Sequence, residues 1–138
     1  VRVLVCGSRE WTDRTWIRLR LACLLPADPA AEEPTIVHGD ARGADRIAGE
    51  IATDLGFWVE THPADWSRHG KAAGPIRNRE MLDSGIHLVL AFVRGESRGT
   101  RDCIKAAQER GIPVEVHEWD KPLPARQQPL EPPLSLPF

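Results

Sequence analysis

The chain has 138 residues, 41% of them hydrophobic and 28% charged, with a net charge of −2. That is enough chain for one globular core. The acidic balance excludes the broad basic surface that non-specific nucleic-acid binding requires, and no apolar run approaches the ~20 residues of a membrane-spanning helix. The five histidines lack HExxH-type spacing and no C-x-x-C pair occurs, so neither a metal site nor a bound cofactor is expected. Cys6, Cys23 and Cys103 are odd in number and fall in strand-like or helix-like segments. They read as buried free thiols. Val1 already opens a strand, with no signal peptide in view, and a reducing, cytoplasmic setting is expected.

In chain order, VRVLVC at the start is apolar apart from Arg2, the pattern of a strand buried on both faces of a parallel sheet. Gly7, Ser8 and Arg9 break it. Thr12 or Asp13 can cap a following helix whose stripe is Ile17, Leu21, Leu24 and Leu25. Pro26, Pro29 and Pro34 mark an irregular connection to a second strand that ends in Thr35-Ile36-Val37. The turn HGDARGAD follows, and then a helix with Ala44, Ile47, Ala48, Ile51, Ala52 and Leu55 on one face, closed by Gly56.

FWVETH (57–62) reads as a third strand, and PADWSRHGKAAGPIRNRE as a long polar segment. Pro75 suits the first turn of a weakly periodic helix, which puts Arg77 and Asn78 near its N-terminus. IHLVLAFV (86–93) is the strongest strand pattern. RGESRG leads into a helix from Thr100 with Cys103, Ile104 and Ala107 inward, and IPVEVHEW (112–119) is a fifth strand. Pro113 removes a backbone donor and fits an edge strand. From Lys121 the proline-dense stretch KPLPARQQPLEPPLSLPF reads as an extended tail, so the expected organisation is a domain over 1–120 and a tail over 121–138.

The β-α-β alternation with right-handed crossovers implies an α/β fold with a doubly wound parallel five-stranded sheet of order 3-2-1-4-5. Ligands in such sheets bind outside the carboxyl ends of the strands, where the strand order reverses. Three junctions should meet there: Gly7, Ser8 and Arg9; Gly39, Asp40, Gly43 and Asp45; and Gly95, Gly99 and Thr100. Glycines allow close backbone approach, helix N-termini at Ala44 and Thr100 supply N–H groups, and Arg77 and Asn78 can reach the rim. The inventory suits a phosphate or similar anion. Asp45 can instead simply cap its helix. Trp11 and Trp66 can stack on a base or cover a core edge. Neither GxGxxG after the first strand nor a Walker A loop is present, which argues against ordinary dinucleotide binding and against magnesium-dependent nucleotide hydrolysis.

GSREW, HGDARGAD, PADWSRHGKAAGPIRNREM and SRGTRDCIKAAQERGIPV, in that order, resemble the DUF2493 or YspA-type SLOG family from about Val1 to Trp119. The resemblance implies a Rossmann-like fold and a nucleotide or nucleotide-derived ligand, held by a sensor or accessory module, commonly a homo-oligomer. It also implies kinship with the DNA-processing protein A family and with the lonely-guy phosphoribohydrolases. Those hydrolases carry a PGGxGTxxE motif with a catalytic glutamate. Gly99-Thr100 match its GT, the glutamate position falls on Cys103, and Asp102 stands one residue early. Cleavage of the N-glycosidic bond of a nucleoside 5'-monophosphate is therefore the alternative function. Its candidate catalytic carboxylates are Asp65, at the mouth end of the third strand, and Asp102, with Asp40, Asp45 and Glu96 further possibilities.

Overall fold

A computed structural model describes residues 1–119; the tail expected from Lys121 lies outside the described residues. The elements are β1 (Arg2–Gly7), α1 (Arg14–Ala22), β2 (Thr35–His38), α2 (Ala44–Asp54), β3 (Trp58–Thr61), α3 (Trp66–His69), a 3-10 turn (Gly70–Ala72), α4 (Ala73–Asp83), β4 (Leu88–Val93), α5 (Arg98–Glu109) and β5 (Val114–Glu118). All strands pair in parallel, in the order β3-β2-β1-β4-β5. This is the expected Rossmann-like sheet, with β1 beside β4 at the reversal.

Side chains alternate across β1, and each face builds its own core. Val3 and Val5 join Ile36, Leu90 and Phe92 under α1 and α2. Leu4 and Cys6 join Val37, Val89 and Ala91 under α4 and α5. Fully burying one such aliphatic side chain is worth roughly 1.5–3 kcal/mol, which is why the central strands tolerate almost no polar residue. Arg2, the exception, reaches across the sheet to Glu60 with two hydrogen bonds of 2.7 and 2.8 Å and to Ser84 at 2.9 Å. That pairing holds the Glu60 carboxyl well below its ordinary range, at about 2.

Asp13 is the cap of α1, its carboxylate accepting the Trp16 N–H at 3.0 Å. Ile17 and Leu21 are buried, Leu24 packs on the core edge, and Leu25 is exposed because the helix ends at Ala22. Cys6 and Cys103 are buried thiols, but Cys23, one residue past that helix end, is exposed. The weakly periodic segment resolves into three pieces: α3, the 3-10 turn, and α4, which starts two residues before Pro75. Proline is tolerated there because the first N–H groups of a helix have no intrahelical acceptor. Pro113 precedes the edge strand β5 and contributes only its carbonyl, which accepts the Val89 N–H at 2.9 Å. Among the described residues no helix is long and apolar enough to cross a membrane.

Candidate functional site

Ser8 sits where β1 runs out, 2% exposed, and ties the junctions together. Its N–H donates to Phe92 O at 2.9 Å, and its carbonyl accepts the N–H groups of Trp11 and Ala44, both at 3.2 Å. Its hydroxyl oxygen accepts the Arg94 N–H at 2.8 Å. The loops after β1 and β4 and the start of α2 are thus joined through one residue, as the strand order implied. The approach is close enough to require two glycines. A Cβ on Gly7 would strike Phe92 O and Ala44 Cβ, and one on Gly43, whose φ is +87°, would strike Ser8 O.

That closeness also engages backbone groups at the start of α2. At the N-terminus of α2, Ala44 N–H donates to Ser8 O and Arg46 N–H to Ala41 O, both at 3.2 Å. Asp45 is not a cap of its own helix. Its carboxylate turns back to accept Gly39 N–H at 3.0 Å and Ala41 N–H at 3.4 Å, closing the turn before α2. It is 5% exposed, and burial pushes its carboxyl up to about 6, against the opposing Arg77 charge and these two bonds.

Arg77 and Asn78 brace the loops from the other side. The Arg77 guanidinium donates to Gly39 O and to His62 O, and its Nε donates to Asn78 Oδ1 at 3.0 Å. Asn78 Nδ2 donates to Gly99 O at 3.3 Å and to Asp102 Oδ2 at 3.1 Å. A side chain on Gly39 would collide with that guanidinium, so this glycine makes room for an arginine. Asp102 also takes two hydrogen bonds from Arg79, at 3.0 and 3.3 Å. Burial opposes its charge, but these partners outweigh it and hold the carboxyl below its usual range.

The enclosed space is a cleft of about 570 Å³. Gly7, Ser8, Arg9, Asp45, Arg77, Asn78, Gly99, Thr100 and Asp102 line it, together with Cys6, Glu10, Lys71, Trp66 and the residues 96–98. Gly39, Asp40, Gly43, Gly95 and Asp65 stand outside its lining. Asp40, at φ +57°, pairs with Arg46 at 3.3 Å. Asp65 caps α3, accepting the Arg68 N–H at 3.1 Å and the Ser67 hydroxyl at 2.9 Å. Of the loop arginines, Arg42 pairs with Glu10 at 3.3 Å and Arg94 lies 4.1 Å over the Trp119 ring, while Arg9 and Arg98 line the cleft.

The first turn of α5 is the exposed donor face. Its N-cap, Ser97, makes no side-chain cap bond and instead donates its hydroxyl to Thr100 Oγ1 at 2.6 Å. Nothing among the described residues lies within 4 Å of where a Cβ on Gly99 would stand, and its φ is not positive. Gly99 therefore answers to no packing or backbone constraint within the described chain.

The two tryptophans separate sharply. Trp11 is 0% exposed, with edge-on contacts to Trp16, Phe92 and Trp119 at centroid distances of 5.4, 5.2 and 5.1 Å, and its indole N–H donates to Asp13 O. It is core. Trp66 is 51% exposed and faces the cleft. Lys71, a cleft cation, has no counterpart among the residues expected from sequence. It belongs to the same polar segment as Arg77, and that was the available signal. Cys6 reaches the cleft floor, where its hydrogen bond with Cys103 and its burial push its thiol up and keep it protonated.

Comparison with known proteins gives a family match and a similar phage protein. The family described as YspA, cpYpsA-related SLOG matches residues 1–69. The "Gene 61 protein" of Mycobacterium phage D29 is 48% identical over 126 residues, covering 88% of this chain and 98% of the phage protein. With the Rossmann-like sheet and the cleft at its reversal point, these matches establish that the chain belongs to the YspA, cpYpsA-related SLOG family.

Proposed function

We propose that the cleft binds a nucleotide or nucleotide-derived phosphorylated ligand, with its phosphate against the first turn of α5, and that the protein acts as a sensor or accessory module. The observation that carries this is Gly99, a glycine with open space above it at an N-terminal turn lacking a side-chain cap. Helix N-termini favour anions through their free N–H groups and dipole. The Ser8 and Thr100 hydroxyls and the Arg9, Lys71 and Arg98 side chains add donors around the same space. Arg77, Asn78 and Asp102 act in this reading as positioning residues, because their polar atoms already hold the loops. Calorimetry with AMP, adenosine and ribose 5-phosphate tests it. AMP should bind at least tenfold more tightly than adenosine, the loss of one charge-assisted hydrogen bond being worth ~1.5–3 kcal/mol. Equal affinities would refute it.

Asp45 favours a second reading, hydrolysis of the N-glycosidic bond. A carboxyl at about 6 in a cleft can exchange a proton near neutrality. Asp65 and Asp102 suit that role less, one being a helix cap outside the cleft and the other held by Arg79. Steady release of free base from AMP, lost in Asp45→Asn, would establish the enzyme; AMP returned unchanged establishes the binder. The homo-oligomer implied by the family belongs to the same proposal. Trp58, 76% exposed on the edge strand β3, is the side chain whose replacement by serine tests it by sedimentation.

A further inference from the structure

The cleft has two chemically different walls. One is the donor face of α5 with Ser8. The other is built by the segment between β3 and α4, where Trp66 and Lys71 line the space with Gly74 and Pro75. Trp66 belongs to neither hydrophobic core, unlike Trp11, and among the described residues it has no aromatic partner. Its ring edge passes 3.6 Å from where a Cβ on Gly74 would stand, so the indole rests against the glycine-bearing first turn of α4 with half its surface open.

We infer that Trp66 is a base-stacking platform, and that the ligand is a nucleoside phosphate rather than a sugar phosphate. This rests on the phosphate reading above and adds the other end of the ligand. A half-exposed indole leaves apolar surface in water with nothing among the described residues to cover it, and a flat aromatic ring from a ligand would cover it. The polar groups of the α5 wall would hold the phosphate of the same molecule. A cleft of about 570 Å³ has the volume for both parts. The platform reads aromaticity more than base identity, since every base has a π-face. Asn78, the other candidate for a base edge, is already engaged by Arg77, Gly99 and Asp102.

The test compares AMP, GMP, CMP and UMP with ribose 5-phosphate by calorimetry, on wild type and on the Trp66→Ala and Trp66→Phe variants, with circular dichroism to verify folding. Wild type should bind the best monophosphate about tenfold or more tightly than ribose 5-phosphate, the range for stacking one base on an aromatic side chain. Trp66→Ala should erase that preference and leave ribose 5-phosphate affinity unchanged, while Trp66→Phe keeps most of it. Wild type holding ribose 5-phosphate as tightly as every monophosphate overturns the platform but not the phosphate site. A Trp66→Ala variant that weakens both ligand types equally also overturns the platform. Binding of neither type to wild type overturns the phosphate site and the platform with it.

Discussion

Replacing Gly99 by alanine should make the protein more stable and less able to bind. Gly99 is the second residue of α5, and a Cβ there meets nothing within 4 Å among the described residues. Its φ does not require glycine, and its carbonyl bond to Asn78 survives the change. Glycine in a helix costs roughly 0.5–1 kcal/mol relative to alanine, through the larger freedom it loses on folding. Gly99→Ala should return about that much, a rise in melting temperature of roughly 2–5 °C for a domain of this size. The added methyl would stand where, in the proposed reading, the phosphate approaches the N–H groups of the turn. Loss of one charge-assisted hydrogen bond predicts roughly ten- to a hundred-fold weaker binding. Thermal melts with and without AMP read both effects on one sample. Gly95→Ala is the control: it too has open space, but its φ of +64° strains any side chain, so it should destabilise by about 1 kcal/mol. A destabilised Gly99→Ala, or a stabilised one that binds AMP as wild type does, would refute the reasoning.

Gly39→Ala should destabilise by roughly 1–3 kcal/mol in urea titration, because its Cβ drives the Arg77 guanidinium from Gly39 O and His62 O. Adding Arg77→Ala should then cost less than it does in wild type; strict additivity would mean the two residues are uncoupled. Asp45 gives a pH dependence of definite sign. Its folded carboxyl, raised from 3.8 to about 6, holds a proton that the unfolded chain has already lost. Its contribution to stability is therefore greatest below about 3.8, declines as pH rises to about 6, and amounts to about 3 kcal/mol. Asp45→Asn should gain on wild type across that window, and parallel stability curves from pH 3.5 to 7 would contradict the buried charge.

The sheet was legible because its signal is repeated along each strand. Runs such as VRVLVC and LVLAFV admit few alternatives to a strand buried on both faces, and the βα alternation then leaves little choice of order. The meeting of three junctions followed from that order and is realised through Ser8. What was illegible depended on partners distant in sequence. The Ala44 N–H at the start of α2 is engaged by Ser8 O, 36 residues before it. That Arg77 and Asn78 also hold the loops, through Gly39 O and Gly99 O, could not be read from the sequence around them. Trp11 and Trp66 occur in equally polar surroundings, yet one is buried under Phe92 and the other stands in the cleft. The segment from Trp66 to Ala72 carries no periodicity because it makes two short turns before α4 begins.

The four hydrogen bonds of Ser8 bear on time as much as on shape. Each joins it to a strand end, a helix start or a neighbouring loop, so the floor of the cleft is settled when β1 pairs with β4. The ordering entropy of that floor then belongs to folding rather than to association. In the proposed reading, a ligand arriving there would meet a preformed frame, and its capture would not wait for a loop to find its place. Selectivity in such a cleft comes from how well a molecule fits a fixed frame, and its residence time from how many of its contacts must break at once.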